Sequence, residues 1–124
     1  MGFSQGAELV HLLIRGQESG IFNWKCLSKI RFCIIASGNY YDWKQTNNTK
    51  PIIIPSLHLV SPQDFIYTKS LLNTTQYLNP VILKHHYGHR IPKFGVDEKK
   101  IVVNFIKSQE KQNINKGILI NSSL

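Results

Sequence analysis

The chain has 124 residues, 42% of them hydrophobic and 18% charged, an ordinary globular composition for one domain or a piece of one. No apolar run reaches the roughly 18 residues of a membrane span, and the first residues lack the basic-then-apolar order of a secretory signal; the expected setting is cytoplasmic, with the nucleus as a second compartment. The net charge of +8 is scattered from Arg15 to Lys116, with no basic run longer than Lys99-Lys100, which argues against specific nucleic-acid binding.

The chain opens on Gly2-Phe3-Ser4-Gln5-Gly6, the Gly-x-Ser-x-Gly pattern of a serine perched on a strained turn between a strand and a helix. Side chains at the two glycine positions of such a turn would collide with the neighbouring strand and helix. The turn also sets the backbone N–H of Gln5 at a helix N-terminus, where it can donate to a developing oxyanion. Ser4 is therefore a candidate nucleophile. Ala7, Leu9, Val10, Leu12, Leu13 and Ile14 then predict a buried helix ending at Gly16, followed by a polar connection from Gln17 to Lys29.

The run from Ile30 to Ala36 is short, β-branched and aromatic, and predicts a buried strand closed by Ser37-Gly38. Cys33 lies inside it, so Cys33 and Cys26 are expected as reduced thiols rather than a disulfide. Residues 39–50 read as a surface loop rich in Asn and aromatics. Ser56 to Val60 predicts a second strand, stopped by Ser61-Pro62. A helix over Phe65–Tyr77, ended by Asn79-Pro80, leads to a third strand over Pro80–His85 and a loop through Pro92. The last helix starts near Val96, where Asp97 and Glu98 suit the positive end of the helix dipole, and fraying is expected after Asn113. Alternation of this kind predicts an α/β chain with a parallel sheet flanked by helices.

A serine hydroxyl is a poor nucleophile unless a histidine base takes its proton, and a carboxylate usually orients that histidine. In an open parallel sheet, functional groups gather beyond the carboxyl ends of the strands. Asp64 lies four residues past the second strand and His89 four residues past the third, both opening towards the same edge as Ser4. Asp64 is also the single acidic residue between Trp43 and Val96. For Asp64 the competing reading is a helix cap, and for His89 an exposed loop residue. A metal cluster of His58, His85, His86 and His89 is disfavoured, because neighbouring residues at a strand end face opposite ways and no Cys or acid sits at ligand spacing. No metal and no cofactor is expected. Tyr40, Tyr41 and Trp43, in the loop after the first strand, are weak candidates for lining a substrate pocket, with surface packing as the equal alternative.

Four stretches together, Gly2 to Ala7, Phe32 to Gly38, Pro55 to His58 leading to Asp64, and Gly88-His89-Arg90-Ile91-Pro92, resemble the FSH family of serine hydrolases over residues 2 to 106. The resemblance implies an α/β-hydrolase fold, carboxylesterase or thioesterase activity on small acyl esters or thioesters, and a catalytic triad of Ser4, Asp64 and His89. Members of that family usually carry early strands before the elbow, with the loop that donates the second oxyanion N–H. Residues 1–112 are thus expected to be the C-terminal part of a hydrolase domain containing its last three strands, with 113–124 as a tail. The elbow strand is expected to be absent, so the first of the three strands presents an open edge that favours self-association. The alternative to a working esterase is an inactive remnant or binding module of the same fold.

Overall fold

Apolar strands buried on both faces pair in parallel when helices connect them, and this is the pattern the computed structural model adopts. It describes residues 1–21, 30–40 and 50–122, in two compact units, Met1–Lys93 and Phe94–Leu124. Strands β1 (Gly2–Phe3), β2 (Cys33–Ala36), β3 (Ser56–Val60) and β4 (Val81–Lys84) form a four-stranded sheet in the order β1-β2-β3-β4. Every pairing is parallel. Helices α1 (Gln5–Glu18) and α2 (Tyr67–Thr74) complete the first unit, and α1 packs on β1 and β2 while α2 packs on β3. Helix α3 (Val96–Ser122) belongs to the second.

The elbow strand, expected to be missing, is present as β1. Gly2 pairs with Ile35 and Phe3 with Ala36, and the Ser4 N–H extends the ladder to the Ala36 carbonyl at 3.0 Å. The terminal strand on this side is therefore β1, and β2 is covered. Other boundaries shift for local reasons. Strand β2 starts at Cys33 rather than Ile30, and the Cys33 N–H donates to the Pro55 carbonyl at 2.9 Å. Helix α1 runs two residues past Gly16 and stops where Gly20 turns at φ 72°. Helix α2 is shorter than the apolar spacing predicts. At its end the Thr74 and Thr75 hydroxyls bond back to the Leu71 and Leu72 carbonyls, both at 2.6 Å, and the backbone tightens into i→i+3 bonds. Helix α3 continues past Asn113 to Ser122, with no proline and only Gly117 to interrupt it.

One face of the sheet carries Cys33 and Ile35, which cluster with Ala7 and Ile14 of α1 and with Ile52, Ile54 and Tyr77. Ile14, Ile35 and Ile52 are at most 1% exposed, so each contributes about 1.5–3 kcal/mol through burial. Cys33 is a free, buried thiol, and burial pushes its pKa up to about 12, so it is unreactive. Cys26 lies outside the described residues.

Polar groups are threaded through this core. The His11 Nδ1 and Tyr77 hydroxyl are 2.6 Å apart, His58 Nε2 meets Ser56 Oγ at 3.0 Å, and the His58 and Tyr77 rings meet edge to face at 4.7 Å. The Arg15 guanidinium donates to the Lys50 carbonyl and to Gln76 Oε1, at 2.5 and 3.0 Å, so the end of α1 holds the segment that leads into β3.

Burial lowers the pKa of His11 to about 4, with the Arg15 charge acting in the same direction, and burial likewise lowers His58 to about 4. An unfolded histidine takes up its proton near pH 6.5, so between pH 6.5 and 4 the unfolded chain binds more protons and stability falls with pH. We expect the melting temperature to be level above about pH 6.5 and to drop steadily towards pH 4, with roughly 3 kcal/mol at stake for each histidine. Thermal unfolding of the wild type and His11→Gln at pH 7, 5.5 and 4 checks this. The variant should show the shallower pH slope, and a flat wild-type profile would contradict the assignment.

Candidate active site

Ser4 stands between β1 and α1 in a conformation that L-residues rarely adopt, φ 51° and ψ −118°. Such backbone strain costs on the order of 1–3 kcal/mol and persists where the surroundings enforce it. Here the enforcement is visible: the Ser4 N–H is held by Ala36 and its carbonyl accepts the first helical bond from the Glu8 N–H at 3.1 Å. Close packing adds to it, since a Cβ on Gly2 would lie 2.3 Å from the Gly6 carbonyl oxygen. Gly6 differs from expectation, because a Cβ there meets nothing within 4 Å among the described residues. The collision expected at both glycines is thus found at Gly2.

Serine at a helix N-cap ordinarily turns its hydroxyl back onto the first turn. Ser4 is the N-cap of α1 and makes no such bond. Its Oγ instead lies 3.0 Å from His89 Nε2. Gln5 is the first residue of α1, where backbone N–H groups have no intrahelical acceptor and the helix dipole is positive.

Asp64 follows β3 in a tight turn, with its N–H on the Ser61 carbonyl at 3.0 Å and its Oδ1 accepting the Ile66 N–H at 3.0 Å. It does not cap α2, whose N-cap is Ile66. The Asp64 side chain is 1% exposed and the His89 side chain 25%. His89 Nδ1 is 3.0 Å from both carboxylate oxygens. Burial pushes the Asp64 pKa up, but the Ile66 N–H, the neighbouring Ser37 hydroxyl and His89, by hydrogen bond and by charge, outweigh it and hold the carboxyl below its ordinary value. An ionised carboxylate can only accept, so it fixes the proton of a neutral His89 on Nδ1 and leaves Nε2 to accept from Ser4. The three side chains form one hydrogen-bonded row from three separate strand ends.

Two aromatic rings flank the imidazole. Phe3 is half-buried with its ring centroid 5.1 Å from that of His89, and Phe65, expected as a helix residue, lies at 4.6 Å and is 83% exposed. Neither Phe65 nor Ser37 stands out in the sequence, where Ser37 reads only as a strand stop. Tyr40 is half-buried just past the end of β2, its N–H on the Asn39 side chain at 3.0 Å. Tyr41 and Trp43 lie outside the described residues. Among the described residues no group of His, Cys, Asp and Glu is arranged to hold a metal ion, and no helix is long and apolar enough to cross a membrane.

Comparison with known proteins gives this geometry a lineage. The family model described as serine hydrolase (FSH1) matches residues 1–101. The chain belongs to the FSH1 serine hydrolase family. Among curated FSH1-like relatives, Esterase OVCA2 of Xenopus tropicalis is 30% identical over 112 residues, covering 86% of this chain and 46% of its own length. Esterase C25G4.2 of Caenorhabditis elegans is 30% identical over 121 residues, covering 92% of this chain and 52% of its own. The chain therefore spans about half the length of these curated relatives. No solved structure shows a significant match. Membership of the FSH1 family fits the four-stranded parallel sheet, which is part of an α/β-hydrolase fold.

Proposed function

We propose that this chain carries the acyl-transfer site of a serine hydrolase acting on carboxylic esters or thioesters, with Ser4 as nucleophile, His89 as base and Asp64 as the orienting acid. The observation that carries the reading is the row Asp64–His89–Ser4, closed at 3.0 Å at each step. As Ser4 Oγ bonds to the acyl carbon, its proton passes to His89 Nε2, and the ionised Asp64 compensates the imidazolium charge without taking the proton. The carbonyl oxygen becomes an oxyanion facing the Gln5 N–H, and one such donor is worth about 10²–10³ in rate. Collapse expels the alcohol or thiol, which leaves with the proton from His89. Water, deprotonated by the same nitrogen, then attacks the acyl-enzyme and frees Ser4. In this reading Phe3 and Phe65 flank the imidazole, and Tyr40, half-buried past the end of β2, is the described candidate for the acyl side of the site.

Hydrolysis of 4-nitrophenyl esters tests the reading. Wild type should release about one equivalent of nitrophenolate per chain in a rapid phase before steady turnover, the mark of an acyl-enzyme, and Ser4→Ala should release none. Folded, monodisperse wild type that is no faster than Ser4→Ala would instead favour the binding-module reading of the chain.

A further inference from the structure

The three side chains of the row sit on separate segments, and a 3.0 Å contact between Asp64 and His89 requires the two loops that carry them to be held in register. The loop after β4 is anchored at its start, where the His85 N–H reaches the Val60 carbonyl at 2.9 Å, and it then passes over the turn after β3. Ser61, the first residue of that turn, is 0% exposed. Its Oγ accepts the Gly88 N–H at 3.0 Å and the Gln63 N–H at 3.3 Å, and donates to Gln63 Oε1 at 3.0 Å.

A hydroxyl has one proton to give and two lone pairs, and Ser61 uses all three. The two backbone groups it gathers are the immediate neighbours of the histidine and the acid: Gly88 precedes His89, and Gln63 precedes Asp64. Gly88 turns at φ 66°, and a Cβ placed on it would lie 3.6 Å from the Gln63 carbonyl oxygen, so the two loops are stacked at the point where Ser61 joins them.

We infer that Ser61 is a positioning residue: its buried hydroxyl clamps the histidine loop onto the acid loop and so sets the His89–Asp64 contact. The inference rests on the reading of Ser4, His89 and Asp64 as the reacting row. It assigns Ser61 a role through its neighbours, with no contact to substrate. The clamp acts on how well His89 is aimed, and misplacement of a catalytic group lowers turnover steeply while leaving binding largely intact.

The test combines Ser61→Ala with two readouts that need no substrate, the downfield proton resonance of the His89 Nδ1–H shared with Asp64 and the hydrogen exchange of the Gly88 amide. In a Ser61→Ala chain that keeps the wild-type circular dichroism, Gly88 exchange should rise tenfold or more and the Nδ1–H resonance should broaden or vanish. Its kcat on 4-nitrophenyl esters should fall about tenfold or more with KM within about twofold. Ser61→Cys, which keeps a weak acceptor in place, should fall between the two and carries the test if the alanine variant does not fold.

An unchanged Nδ1–H resonance in either variant would overturn the clamp, as would a Gly88 amide that exchanges freely in the wild type. If wild type has no esterase activity, the reaction proposed above fails while the resonance and the exchange rates still decide the role of Ser61.

Discussion

Asp64→Asn is expected to leave the fold intact and reduce kcat about 10⁴-fold, the loss seen when the acid of a serine triad is neutralised without changing its shape. The reason lies in the tautomer of His89. The Asp64 carboxylate, ionised and accepting, keeps the proton on Nδ1 at 3.0 Å. An asparagine amide turned towards Nδ1 donates instead, which moves the ring proton to Nε2 and leaves no acceptor for the Ser4 hydroxyl. The same substitution removes the charge that compensates the imidazolium. Steady-state kinetics on 4-nitrophenyl esters, with circular dichroism to confirm the fold, measures the effect. A loss of less than tenfold would show that Asp64 is only a turn residue, the role its bond to the Ile66 N–H would give it alone.

Gly2→Ala is the second large effect, and it is structural. The added methyl would lie 2.3 Å from the Gly6 carbonyl oxygen and 2.7 Å from the Ala7 nitrogen. These are backbone atoms at the start of α1 and cannot rotate away. Overpacking of this kind costs about 3 kcal/mol, and β1 and α1 must part to relieve it. Since Ser4 hangs between those two elements, its hydroxyl leaves His89, and we expect both a lower melting temperature and loss of activity. Gly6→Ala is the control. With nothing within 4 Å of its Cβ, it should be neutral or stabilise α1 by up to about 1 kcal/mol. Equal damage from the two substitutions would refute this account of the elbow.

The contrast between those glycines illustrates what the sequence discloses. Residue type and strand-end position single out Ser4, Asp64 and His89 as candidates, because a parallel sheet sends the segments after its strands to one edge, and the fold brings His89 to 3.0 Å from each of the other two. The hydrophobic runs of β2 and β3 likewise announce themselves. Strand β1 does not: two residues, one of them glycine, have no periodicity to read, and only its pairing with Ile35 and Ala36 makes it a strand. The early end of α2 was hidden because Thr74 and Thr75 stop the helix with their own hydroxyls. The parts of the site that escaped notice, Ser37 beside Asp64 and Phe65 against His89, depend on tertiary approach and have no local pattern.

The central claim is that Ser4 is the nucleophile, and the most direct measurement is to treat the folded chain with a fluorophosphonate and locate the adduct by peptide mass spectrometry. The account predicts one adduct per chain, on Ser4, abolished in Ser4→Ala and strongly slowed in His89→Ala. An adduct on any other residue, or none on folded and monodisperse protein, would contradict it.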